Sequence, residues 1–449
     1  MYFFGGDIMD RAVLSASATI ALMAFASALM PSVQAKENPS QLLDAGLRLA
    51  DQQSDPARKS CLPQPEGRWR WLSFDGNRVV EAAILDEIDG FAKTANTSGG
   101  LGGPLVIVND PGDFDQSVGD KPIPGSLRAV VEARARNGTA AWIVFDLPPN
   151  TKITLKRSLG IPSNMTIDGT CSGVTIDGPL KVPLFYIHNQ RNVLIYGLSF
   201  RKTDYLPNPE ADSCIRLNGL VDAIAVLHNN LERCGDGVID ITTSYGQPLP
   251  DSARITVAYN RISDHDKVML FGTYTCSLNS GSKCDESDLV RNRKMTPTLS
   301  LTLTGNLFIR TTQRHPRVYG LVFAHVVNNV VAYIDYGTFV SNGARALIED
   351  NVYLPLRART PPIAVWTTTS EGAMRMDWDV LGFIRVRNNP RIAGEIIDQI
   401  EPEMVPQPPY DLEIVPIHSM PTERAIGCIA ARAGIHGGAK WNQQLCFSP

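Results

Sequence analysis

A short phrase recurs along the middle of the chain: an apolar, strand-like run, then Asn-x-apolar. Asn229, Asn260, Asn306, Asn329 and Asn351 are followed by Leu231, Ile262, Phe308, Val331 and Tyr353. The last two intervals are 23 and 22 residues. The 46-residue interval before them equals two such lengths, and its extra residues hold a loop with Cys276 and Cys284. A period in the low twenties built from strands alone is the signature of a parallel β-helix, in which each repeat buries its apolar face only against its neighbours. Asn bonds locally and tolerates left-handed backbone, so the repeated Asn is expected to form a ladder along the solenoid. These asparagines are fold residues, not site residues.

The surrounding pattern agrees. From Ala141 to Tyr353 the apolar runs are short (AWIVFD, NVLIYGLSF, AIAVLHNNL, RITVAYNRI) and show no helical periodicity. Helical patterns come earlier: Gln41 to Gln52, Ala82 to Ala92, and a segment from Gly125 to Ala135 with Ser126 as its N-cap. SGGLGG precedes PLVIVND and reads as a turn into a buried strand. A dinucleotide site needs its glycines after the strand, so that reading is rejected.

At 449 residues and 43% hydrophobic content, the chain is long enough for one large β domain or two ordinary ones. Met9-Asp10-Arg11, an apolar run to Met30 and Val33-Gln34-Ala35 read as a signal peptide over residues 1–35. Its removal takes away Asp7, Asp10 and Arg11 and moves the net charge from −4 to −3. No basic excess points to nucleic acid, and no later run is long enough for a membrane span. The eight cysteines all lie beyond residue 35, and an even count behind a signal favours disulfides over zinc. Cys276–Cys284 and Cys428–Cys446 are plausible local pairs, and Cys214–Cys234 would join neighbouring strands. Connectivity stays open. Residues 36–401 are read as one β-helix domain with its N-terminal cap, and residues 402–449 as an extension packed on it.

Two phrases carry charge in a suggestive order. CGDGVIDI places Asp236 and Asp240 four residues apart, and ISDHDKVMLFG places Lys267 after Asp264, His265 and Asp266. Paired carboxylates repel unless a proton or cation lies between them, and such oxygens suit a hard cation. From spacing alone, solvated turn acids are the commoner explanation. His265 and Asp266 are expected to bond to each other and fix the turn before Lys267. His315 is expected to face away from Arg314.

From Gly90 to Tyr353 the chain resembles the pectate lyase / pectin lyase family. The phrases that carry the resemblance are GFAKTANTSGGLGG, PGSLRAVVEARARNGTAAWIVFD, SNMTIDGTCSGVTIDG, NVLIYGLSF, CGDGVIDI, ARITVAYNRISDHDKVMLFG, QRHPRVYGLVFAHVVNN and ALIEDNVY. The resemblance implies an all-β chain: a right-handed single-stranded parallel β-helix with short N-terminal helices and a disulfide-stapled C-terminal tail. It implies a secreted, monomeric, Ca²⁺-dependent lyase acting on polygalacturonate or pectin by β-elimination. The family's metal-holding acids fall on Asp212, Asp236 and Asp240, its substrate-binding lysine on Lys267, and its catalytic arginine on Arg314. The second arginine of the R-x-P-x-x-R phrase is replaced by Tyr319, which leaves Arg317 to hold a substrate carboxylate. The W-I-D-H phrase is reduced to AVLH, with His228 retained. A hydrolase or metal-free pectin lyase of the same fold, and a carbohydrate-binding β-helix without turnover, are the alternatives.

Overall fold

The computed structural model describes residues 69, 71–170, 172–205, 212–243, 252–273, 299–341 and 344–355, with shorter pieces at 362–364, 367–368, 374–375, 383–387, 428–430 and 433–434. The signal-peptide reading, the helix expected at Gln41 to Gln52 and the Cys276–Cys284 pair lie outside them.

From Ala141 to Ala364 the chain winds through eight coils, each giving one strand to each of three parallel sheets. The first sheet has ten strands, among them Arg191–Tyr196, Asp222–Leu227, Ala253–Ala258 and Leu299–Thr304. The second follows each asparagine and includes Asn230–Glu232, Arg261–Lys267 and Leu307–Gln313. The third includes Phe185–His188, Ile215–Asn218, Ile239–Thr243, Met269–Thr273 and Arg317–Tyr319. Every neighbouring pair within these sheets is parallel, in register as in Ile224↔Ile255 and Leu217↔Ile241, except for a shift between Phe308 and Thr311 where Leu307–Gln313 meets its neighbour. The β-helix expected from the repeat is present.

The asparagines form the expected ladder. The Oδ1 of Asn260 accepts from the backbone N of Asn229 at 2.9 Å and from its Nδ2 at 3.1 Å, and the same pair of bonds links Asn260 to Asn306, Asn306 to Asn329 and Asn329 to Asn351. All five side chains are fully buried. One detail differs from expectation. The left-handed residue at each corner is the one before the ladder asparagine: His228, Tyr259, Gly305, Asn328 and Asp350 have φ between 52° and 64°. The asparagine supplies the hydrogen bonds and its predecessor supplies the bend.

Two strands of the first sheet, Arg191–Tyr196 and Asp222–Leu227, are apolar on both faces for a reason outside the repeat. Val193, Ile195, Ile224 and Val226 point into the coil, while Leu194, Tyr196, Ala225 and Leu227 lie under a cap made by Trp71, Leu72, Val79, Ile84 and Ile88. A sheet covered on both sides loses its alternation. The SGGLGG glycines belong to this cap: a Cβ on Gly100 would stand 1.8 Å from the Ala141 carbonyl. The helix expected over Ala82 to Ala92 is divided into a 3-10 turn, Ala83–Glu87, and a helix, Gly90–Thr94. Sheet threonines override its local propensity. Thr256 Oγ1 donates to the Asp89 carbonyl at 2.6 Å and accepts from Ala92 N, and Thr302 Oγ1 accepts from Phe91 N. The strand Leu105–Val108, expected to be buried, runs along a sheet edge and only Val108 is buried. Helix Leu127–Asn137 begins at its expected cap, Ser126, whose side chain accepts from Ala129 N.

Ile429, Ala430 and Ala433 pack on the outer face of the second sheet against Leu307, Ile309, Val330, Ala332, Val352 and Leu354. With the first sheet under the cap and the second partly covered here, the third sheet and its corner with the second hold the charged groups described next.

Candidate active site

Four successive coils bring the singled-out residues to one corner. Asp212 lies just before the strand Ile215–Asn218, and Asp236 just before Ile239–Thr243, which contains Asp240. Lys267 ends Arg261–Lys267, and Arg314 lies between Leu307–Gln313 and Arg317–Tyr319. Parallel strands stack about 4.8 Å apart, so Asp212 and Arg314 are separated by roughly 14 Å along the axis. The acids occupy one end of this corner and Arg314 the other.

The acid end is fixed firmly. Cys214 and Cys234 are bridged, with Cα atoms 5.0 Å apart, two residues from Asp212 and from Asp236. This is one of the pairs expected from sequence, and Cys428 is disulfide-bonded as well. Lys202, fully buried, donates to the carbonyls of Leu180 (3.0 Å), Val182 (2.8 Å) and Asp212 (2.6 Å). Burial pulls its ammonium down to about 8. Three carbonyl acceptors are what hold a cation in such a place.

Each acid has a distinct setting. Asp212 Oδ2 accepts from Arg216 Nη1 at 2.8 Å, and its Oδ1 accepts from Ser213 N. Asp236 Oδ1 accepts from Lys267 Nζ at 2.6 Å. Asp240 is buried and its Oδ1 accepts from Leu270 N at 3.1 Å. Gly237 makes room for it, since a Cβ there would stand 2.3 Å from Asp240 Oδ1. Burial first, then repulsion from Asp236, pushes the Asp240 carboxyl up to about 7, while the Leu270 N–H, Arg216 and Arg314 act the other way. Arg216, Asp240, Leu270, Arg317 and Phe339 stand in one register column on the third sheet.

Arg314 adopts φ 67° beside the cis His315–Pro316 bond. Its Nε is buried and meets no hydrogen-bond acceptor among the described residues. Its charge reaches Asp240 on one side and Tyr336 on the other. Arg317 stacks over Phe339, 5.5 Å from the ring centre, and its Nε is also buried without an acceptor. Arg317 and Tyr319 alternate with the core residue Val318 and so share the outward face. Tyr319 is buried against Gly272.

The histidines do other work. His315 faces away from Arg314, as expected: its Nε2 is 2.8 Å from Thr311 Oγ1 and its Nδ1 3.1 Å from the Tyr336 carbonyl, and burial pulls it down to about 4. His265 and Asp266 are not bonded to each other, contrary to expectation, and HDK lies in a strand instead of a turn. His265 Nε2 meets the Asp236 carbonyl at 3.3 Å, while Asp266 accepts from Gln313. In a strand, consecutive side chains point to opposite faces and find separate partners. His228 packs beneath the cap, 3.1 Å from Glu87 and stacked on Tyr259. Sequence reasoning missed Arg216 and Lys202. The strand IRLNG could have placed Arg216 outward by its period of two; nothing local marks Lys202.

Among the described residues no three acidic, histidine or cysteine side chains converge as a metal cage. Asp236 and Asp240 nonetheless fit a hard divalent cation. Both offer carboxylate oxygens, and the burial and, after it, the repulsion from Asp236 that hold Asp240 up are offset by a cation placed between them.

Residues 78–361 match a family model described as pectate lyase. Probable pectate lyase 6 of Arabidopsis thaliana is 30% identical over 319 residues, 65% of this chain and 61% of that protein. A pectate lyase of Lilium longiflorum is 29% identical over 314 residues, 64% and 63%. The chain thus spans about three fifths of the length of these relatives. Among solved structures, the cedar pollen allergen jun a 1 superposes with TM-score 0.49 at 21% identity, covering 78% of this chain and 94% of the other. A pectate lyase from Bacillus sp. N165, solved in complex with trigalacturonate, has TM-score 0.49 at 18% identity, covering 78% and 99%.

Proposed function

The chain belongs to the pectate lyase family, and from that premise we propose that it is a secreted, Ca²⁺-dependent lyase cleaving polygalacturonate by β-elimination. The observation that carries the proposal is the placement of Arg314 within electrostatic reach of Asp240, above a pair of mutually repelling carboxylates. Secretion is supported by the Cys214–Cys234 bridge, which belongs to an oxidising compartment. No helix among the described residues is long and apolar enough to cross a membrane.

Asp236 and Asp240, joined by Asp212, would hold the Ca²⁺. When bound, the ion supplies Lewis-acid stabilisation of charge on the uronate carboxylate. Lys267 then binds a sugar carboxylate or hydroxyl. Arg317 supplies a guanidinium on the outward face shared with Tyr319, whose ring lines the site where the family's second arginine would stand. Arg314 takes the proton from the carbon next to the carboxylate. That C–H electron pair becomes the new C=C bond, the neighbouring C–O bond breaks, and the departing oxygen takes a proton from water. An arginine can act as a base only where its charged form is not locked by an acid. The Arg314 Nε is buried and meets no acceptor among the described residues, and the guanidinium must shed a proton before it can take the one from carbon.

Tyr319 in place of arginine favours a second reading, a carbohydrate-binding β-helix without turnover. Arg314→Lys separates the two: the lyase reading expects polygalacturonate binding to persist while unsaturated product is lost. A wild-type chain that binds pectic polymers and forms no product would establish the second reading. Hydrolysis by Asp236 and Asp240 would instead give saturated ends that a chelator leaves unaffected.

A further inference from the structure

Two of the three acids assigned to the metal are already occupied by cations of this chain. Arg216 Nη1 lies 2.8 Å from Asp212 Oδ2, and Lys267 Nζ lies 2.6 Å from Asp236 Oδ1. Neither pair is sealed from water, for side-chain exposure is 37% and 20% in the first and 28% and 34% in the second. Ion pairs this exposed contribute little and exchange partners readily. Arg216 also stands in register beside Asp240, and Lys202, Arg314 and Arg317 stand around the same acids. A divalent cation entering the corner therefore competes with positive charge already resident there, and each side chain it releases adds a cationic group beside it.

We propose, resting on the site reading above, that Arg216 and Lys267 are resident counter-ions that the cation must displace, and that displaced Arg216 becomes a further carboxylate-binding residue for the uronate chain. Release of the two side chains puts unpaired cationic groups beside the metal, where an acidic polymer pairs with them. Metal and uronate binding are then coupled, and the coupling is the same whichever binds first. Arg216 points outward from a strand adjacent to Asp240, so it would meet the sugar beyond the one held at the metal.

The test uses full-length protein carrying Arg314→Lys, so that no turnover intervenes, with calorimetric titration of CaCl₂ in the absence of sugar. Removing one positive charge about 5 Å from a divalent ion in a water-like dielectric should tighten its binding roughly tenfold. Lys267→Met and Arg216→Met should each show that gain, while Lys267→Arg keeps the parent affinity. With Ca²⁺ saturating, Arg216→Met should bind trigalacturonate at least tenfold more weakly than the parent. Ca²⁺ affinity that is unchanged or weaker in both Met variants, whose thermal midpoints match the parent, overturns the counter-ion proposal alone. Absence of Ca²⁺ binding in every variant overturns the metal reading together with it.

Discussion

The Tyr319 ring lies against the backbone of Gly272 so closely that a Cβ on Gly272 would stand 2.3 Å from Tyr319 Cε1. The two residues are register partners on adjacent strands of the third sheet. Tyr319 is therefore built into the sheet face, with a ring that needs a glycine beneath it. Gly272→Ala should cost about 1–3 kcal/mol by overpacking. In Gly272→Ala/Tyr319→Ala that extra cost should disappear, giving strong non-additivity in a double-mutant cycle of urea unfolding. Additive effects would show that the ring does not depend on the glycine.

The asparagine ladder gives a second expectation. Asn306 Oδ1 accepts from Asn260 N and Nδ2, and Asn306 Nδ2 donates to Val257 O, Thr304 O and Asn329 Oδ1. Truncation leaves these buried groups unpaired, each at about 1–3 kcal/mol. Asn306→Ala should lose about 3–5 kcal/mol in equilibrium unfolding, far more than an exposed Asn→Ala. A loss below about 1 kcal/mol would mean that water or relaxation replaces the ladder.

Acid should weaken the fold through His315. Its folded pKa, pulled down to about 4 by burial, lies below the ordinary value of 6.5. Between those values the unfolded chain binds the proton and the folded one does not, so stability falls as pH drops from about 6.5 to about 4. A shift of this size corresponds to roughly 3 kcal/mol. Urea midpoints followed across that range should decline in the wild type and decline less steeply in His315→Gln. Equal slopes would remove His315 as a contributor.

Asp240→Asn should trade metal binding for stability. The substitution removes a buried charge that faces Asp236, so the metal-free protein should gain thermal stability at pH 8, while Ca²⁺ affinity falls at least tenfold. Loss of both properties together would point to a structural role for the carboxylate.

The sequence made the coil legible because the ladder repeats a residue type at a fixed corner, and a hydrogen-bonded column demands that residue at each turn. The resemblance to the family singled out Asp236, Asp240, Lys267 and Arg314, because spacing alone made the two aspartates look like solvated turn acids. Partnerships were less legible. Arg216–Asp212, Lys267–Asp236 and Lys202 with the Asp212 carbonyl depend on which coil lies above which, and corner loops of unequal length conceal that register. His265 and Asp266 look like a pair in the sequence, yet the strand pleat turns them to different partners. The divided helix near Ile88 was hidden for a similar reason: its hydrogen bonds go to Thr256 and Thr302, more than 160 residues away.

The most direct measurement follows unsaturated product from unmethylated polygalacturonate by absorbance, for the wild type and Arg314→Lys, with Ca²⁺ and with excess chelator. The account predicts product only from the wild type with Ca²⁺. Chain cleavage that continues in chelator, or without the absorbing double bond, or in Arg314→Lys at the wild-type rate, would contradict it.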